Sequence, residues 1–130
     1  MITKTALETQ KYGEKLASKL KNGGVLCLYG DLGAGKTTLV QGLAKGLGIK
    51  RRITSPTFII ARKYNNFWHI DLYRLDNADT LGLPEIFADP KNIVIIEWPE
   101  IIKKVLPEHY IKIRIKDLNN DRRQIDEIIY

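Results

Sequence analysis

The sequence predicts an α/β fold with a mixed, partly parallel central sheet. Three observations carry that expectation. The runs Val25–Tyr29 and Ile93–Ile96 are apolar without alternation, as strands covered on both faces are. A helical pattern follows the first run, which is how parallel neighbours are joined. Tyr110–Lys116, in contrast, alternates strictly, with Ile111, Ile113 and Ile115 on one face and Lys112, Arg114 and Lys116 on the other.

Each element has its own signal. Thr5-Ala6-Leu7-Glu8 reads as a capping box, in which the Thr hydroxyl and the Glu carboxylate satisfy free backbone donors at a helix start. Leu7, Leu16 and Leu20, with Tyr12 and Ala17, then fall near helical spacing, and Asn22-Gly23-Gly24 stops the helix. Lys36 to about Leu47 forms a second helix closed by Gly48, and Arg51–Thr57 is a loop rich in Thr, Ser and Pro. Thr57–Tyr64 and Phe67–Leu72 read as strands joined by a tight Asn65-Asn66 turn. Asp76–Phe87 holds one or two short helical turns, and Asn92–Glu97 contains the second buried strand. Gln124–Tyr130 is expected to pair with Tyr110–Lys116 across Asn119-Asn120. The sequence shows no repeat and no linker, so residues 1–130 are expected to form a single domain.

Bulk properties narrow the function classes. A hydrophobic share of 44% with 28% charged residues suits a soluble globular protein. The apolar runs are too short for a membrane span, and the polar, amphipathic N-terminus lacks a secretory h-region, so the expected location is cytoplasmic. The single Cys27 sits in an apolar run and reads as a small buried hydrophobe. A net charge of +6 favours polyanionic partners such as nucleic acid.

Gly30-Asp31-Leu32-Gly33-Ala34-Gly35-Lys36-Thr37 matches G-x-x-x-x-G-K-[ST] completely, with an apolar strand before it and a helical pattern after it. Glycines let backbone N–H groups curl around phosphate oxygens, Lys36 supplies a point charge, and the Thr37 hydroxyl can ligate Mg²⁺. The helix N-terminus adds partial positive charge. Asp31, Gly33, Ala34, Gly35, Lys36, Thr37 and Thr38 are therefore expected around a nucleoside triphosphate.

Mg²⁺ needs a second anchor, for which Glu97, closing Ile93–Ile96, is the best placed acid; the plainer reading is a solvated strand-end carboxylate. Trp98 either stacks on a base or partner or covers the sheet edge. Ser55-Pro56-Thr57, 19 to 21 residues after Lys36, stands where a loop could sense the γ-phosphate, or is simply a helix-to-strand turn. Alternation puts His69, Asp71 and Tyr73 on one strand face, opposite Ile70 and Leu72. Asp71 could orient an attacking water, the alternative being a hydrogen-bonded His–Asp surface pair.

Together, "GDLGAGKTT", "SPT", "HIDLYRL", "LGLPEIF" and "IIEW", in this order and spacing, resemble the TsaE family over about Thr5 to Arg123. These are the small P-loop ATPases of bacterial tRNA threonylcarbamoyladenosine biosynthesis. The resemblance implies a P-loop NTPase-like three-layer fold that hydrolyses ATP with Mg²⁺. It also implies work with TsaD, which transfers threonylcarbamoyl to adenosine 37 of tRNAs reading ANN codons, and with TsaB. By position Lys36 would bind phosphate, Thr37 and Glu97 would hold Mg²⁺, Ser55 and Thr57 would form the switch-like loop, and Asp71 would be essential for turnover. Trp98 would lie near nucleotide or partner, and Thr5, Ala6 and a basic residue near Arg122–Arg123 would complete the nucleotide pocket. The chain ends at Tyr130, short of many members, so a reduced C-terminal partner surface is expected. The basic side chains Lys112, Arg114, Lys116, Arg122 and Arg123 favour tRNA or guard an edge strand, the second use being slightly preferred.

Three other readings compete. A nucleotide kinase would need a substrate site and usually a mobile lid, for which the chain leaves little room. A regulatory GTPase would carry an N-K-x-D run, whereas Asn22 is followed by Gly-Gly and Asn120 by Asp-Arg. A binding module without its own product would keep the loop but not depend on Asp71 or Glu97. Intrinsic hydrolysis is expected to be slow, with an arginine finger from a partner or from Arg74.

Overall fold

The computed structural model describes residues 1–31, 33–50, 61–72 and 82–130. Its elements run β1 (Ile2–Thr3), α1 (Ala6–Leu20), β2 (Gly24–Tyr29), α2 (Lys36–Gly46), β3 (Ala61–Tyr64), β4 (Phe67–Asp71), α3 (Leu83–Ala88), β5 (Ile93–Glu97), a 3₁₀ turn (Pro99–Ile102), β6 (Ile111–Asp117) and β7 (Arg123–Ile129). The strands form one sheet in the order β1-β7-β6-β2-β5-β4-β3. β2 is parallel to both β5 and β6, and β4 is parallel to β5. The β3–β4, β6–β7 and β1–β7 pairs are antiparallel, so the sheet is mixed and partly parallel, as the apolar runs predict.

Each sheet face has its own core. Leu26 and Leu28 of β2, Ile95 of β5 and Ile113 of β6 pack with Leu16, Leu39 and Leu43 of α1 and α2. On the opposite face Cys27, Ile70, Val94 and Ile96 pack with Leu83 of α3 and Ile102. This two-sided burial is why β2 and β5 read as continuous apolar runs. Cys27 is fully buried, and burial pushes its thiol up to about 12 against the opposing charge of Lys112, so it is a core residue.

Thr5 caps α1 by accepting from the Glu8 amide at 3.1 Å, but Glu8 Oε2 accepts from Lys4 N rather than from Thr5 N, shifting the reciprocal bond of the capping box by one residue. Leu7, expected on the core face, is 58% exposed; Thr9 and Gly13 face inward instead. The reason is the seam between α1 and α2, where backbones nearly touch. A Cβ on Gly42 would stand 1.9 Å from Gln10 O, and one on Gly13 would stand 2.3 Å from Leu39 O. Glycines, not large apolar groups, set the distance between these helices.

The two hairpins form as the turn residues predict. Tyr64 pairs with Phe67 across Asn65, whose φ is 59°, and β6 joins β7 through Asn119, Asn120 and Asp121, all in left-handed conformation. β7 begins at Arg123, one residue before the expected Gln124. β1 is too short to carry a periodic signal, yet it adds Ile2 and Thr3 to the outer edge of β7. A further expectation fails. β6 lies between β7 and β2, so Lys112, Arg114 and Lys116 guard no sheet edge.

Candidate functional site: the phosphate loop and the adjoining strand ends

The loop leaves the C-terminal end of β2 and enters α2, at the edge where open parallel sheets bind ligands. Gly35, the N-cap of α2, has φ 102° and ψ 15°, and a Cβ there would come within 3.0 Å of Arg123 Nε. Only glycine fits both the turn and the approach of the β7 side chain. Asp31 and Gly33 are exposed, Ala34 and Lys36 are buried, and Gly35, Thr37 and Thr38 are half-buried at the start of the helix.

Lys36 Nζ donates to Gly30 O at 2.7 Å and stands 3.9 Å from the centroid of the Trp98 ring. Burial holds this ammonium below the usual lysine range, while Glu97, Asp71, Glu100 and Asp31 oppose the shift. Trp98 takes φ 58° and ψ 53° to begin the 3₁₀ turn, a conformation costly for a bulky side chain. The ring therefore covers the loop lysine, and simple cover of a sheet edge does not describe it.

Sheet register aligns the acids. Leu28 of β2 is opposite Glu97 of β5, which is opposite Asp71 of β4. Phe67, on the same face of β4 as His69 and Asp71, belongs to the α1–α2 core, whereas Ile70 and Leu72 belong to the other. His69, Asp71 and Glu97 thus share the sheet face on which the loop helix packs. Glu97 is 3% exposed, which rules out a solvated strand-end carboxylate. His69 is fully buried, and its Nε2 donates to Glu97 Oε2 at 2.5 Å, so the reading of His69 as a surface partner of Asp71 is corrected.

Two hollows flank the loop. A cleft of about 450 Å³ is lined by Tyr29, Asp31, Trp98, Glu100, Arg114 and Lys116, among others. A second, small recess brings Ala6, Gly35, Thr38 and Arg123 together, and Arg123 Nη1 donates to Asp117 Oδ1 at 2.9 Å. Thr5 stays at the α1 cap beside that recess. Ser55, Thr57, Tyr73 and Arg74 lie outside the described residues. Reasoning from sequence missed the His69–Glu97 bond and the contributions of Glu100, Arg114 and Lys116; only the two-residue spacing of His69 from Asp71 hinted at the first.

The profile of the threonylcarbamoyl adenosine biosynthesis protein TsaE family matches residues 3–125. The chain belongs to the TsaE family. It is 42% identical over 123 residues to the tRNA threonylcarbamoyladenosine biosynthesis protein TsaE of Bacillus subtilis (strain 168), covering 91% of this chain and 77% of that protein. The TsaE of Treponema pallidum (strain Nichols) is 35% identical over 130 residues, with 95% of this chain and 96% of that one aligned. The crystal structure of Bacillus subtilis YdiB superposes with a TM-score of 0.81 at 37% identity, covering 96% of this chain and 80% of that chain. No helix among the described residues is long and apolar enough to cross a membrane.

Proposed function

We propose that this TsaE-family chain binds ATP with Mg²⁺ on the Gly30–Thr37 loop and hydrolyses it slowly. It serves the threonylcarbamoyl modification of adenosine 37 in tRNAs reading ANN codons, together with TsaD and TsaB. The observation that carries the reading is the convergence at one sheet end of a buried loop lysine with Asp71 and Glu97 from the next two strands. Its output is work on partners, not a phosphorylated product.

The donor set is oxygen, from the Thr37 hydroxyl and the Glu97 carboxylate, which suits a hard cation that keeps several waters. When bound, Mg²⁺ would be held by Thr37 and Glu97 and would supply positive charge against the charge that develops on the phosphates. Backbone N–H groups of the loop and the start of α2 cradle the phosphates, and Lys36 meets the β- and γ-phosphates. Asp71 orients the attacking water and accepts its proton. Trp98 shields the lysine from solvent, which strengthens its field on the phosphates. Ala6, Thr5 and Arg123 close the nucleotide pocket from the α1 side, and Ser55 and Thr57 serve as the γ-phosphate sensor.

The test is co-purification with TsaB and TsaD with and without ATP, followed by a tRNA modification assay. Lys36→Ala should lower partner-stimulated hydrolysis by about 100-fold or more and abolish repeated modification. Undiminished modification by Lys36→Ala would overturn the reading. Phosphorylated acceptor on thin-layer plates would show a kinase instead.

A further inference from the structure

We propose that His69 is a positioning residue for Glu97, fixing the carboxylate that faces the loop cation; this rests on the MgATP reading given above. The ring has one polar task. Nε2 is spent on Glu97 Oε2 at 2.5 Å, while Nδ1 is buried and has no hydrogen-bond partner among the described residues. A side chain kept only to fill this site would be apolar, because the second ring nitrogen is desolvated without return. The two partners come from adjacent parallel strands, His69 registered with Ile95 and Glu97 with Asp71, so the contact is set by the sheet and not by a loop. Glu97 is itself nearly sealed from solvent, which removes water as an alternative brace for its side chain. With Oε2 committed to the ring, Oε1 is the oxygen left for a cation, and the carboxylate is held in one rotamer. Outer-shell partners of this type commonly matter to metal affinity as much as they matter to packing.

Calorimetric titration of the full chain with ADP, in Mg²⁺ and in EDTA, separates this role from a structural one. The comparison uses the unaltered protein, His69→Leu, which keeps bulk but loses the donor, and His69→Gln, which keeps a donor near the Nε2 position. Metal-free ADP affinity should be the same in all three. The gain in affinity on adding Mg²⁺ should fall about tenfold in His69→Leu and return in His69→Gln. Equal Mg²⁺ gains in the unaltered protein and His69→Leu would overturn the proposal and leave the MgATP reading intact. Loss of metal-free and Mg²⁺-dependent affinity in parallel would also overturn it, by showing a packing role. No Mg²⁺ gain in the unaltered protein would overturn both. If His69→Leu fails to give a cooperative melt, His69→Asn, whose amide falls short of Glu97, takes its place with the same outcomes.

Discussion

At Lys36, burial and four surrounding carboxylates act in opposite directions on one ammonium group, and burial prevails. A lysine held below its ordinary value of about 10.4 loses its proton at lower pH than a free one. Phosphate affinity depends on that charge. Affinity for ADP should therefore be flat near neutrality and begin to fall before the pH reaches the ordinary lysine range. Trp98 emission followed during nucleotide titrations at increasing pH would measure it, and Lys36→Ala should remove the dependence. The other feature at this scale is a matter of register. Glu97 and Asp71 sit side by side because β4 and β5 are parallel and in step, so neither acid needs a loop to aim it.

Among the elements, α1 and α2 are joined by backbone approach. Gly42→Ala would press a methyl group against Gln10 O, where the gap is 1.9 Å, and overpacking of this kind costs about 1–3 kcal/mol. Chemical denaturation should show that loss, together with weaker nucleotide binding, because α2 carries Lys36. α1 is tied to β7 as well: Tyr12 Oη donates to Glu127 Oε1 at 2.5 Å, and Lys19 donates to Oε2. Burial alone would raise the Glu127 carboxyl, but the bonds from Lys19 and Tyr12 carry it below the ordinary range. A depressed carboxyl stabilises the fold above its unfolded value and loses that contribution as pH falls through the folded one. Glu127→Gln should thus cost about 1 kcal/mol near pH 7 and progressively less as the pH falls through the depressed folded value, read from melts at decreasing pH. These ties explain what the sequence displayed and what it hid. The loop, the buried strands and both hairpins were legible because their signals are local: periodicity, glycine spacing and turn residues. The α1–α2 seam was not, since glycines carry no hydrophobic signature, and Leu7 was therefore placed inward. The His69–Glu97 bond spans 28 residues and exists only once the strands are in register.

For the whole molecule, the loop adjoins two unlike walls: one of Trp98, Glu100 and Arg114, the other of Ala6, Thr38 and Arg123. Of the two arginines in these walls, Arg123 is bonded to Asp117, and we propose that the arginine that neutralises charge during turnover comes from a partner. Adding TsaB and TsaD should accordingly raise ATP turnover by at least about tenfold, an effect assayed by phosphate release. An unchanged rate would place the missing group within this chain. The contact of Lys36 with Gly30 O and the Trp98 ring has a thermodynamic consequence of its own. The Gly30 carbonyl and the indole face hold the ammonium within the fold itself, so part of the entropy cost of ordering a long lysine side chain is met in folding and not in binding. A weaker ring contact would leave the lysine less ordered and should weaken nucleotide binding.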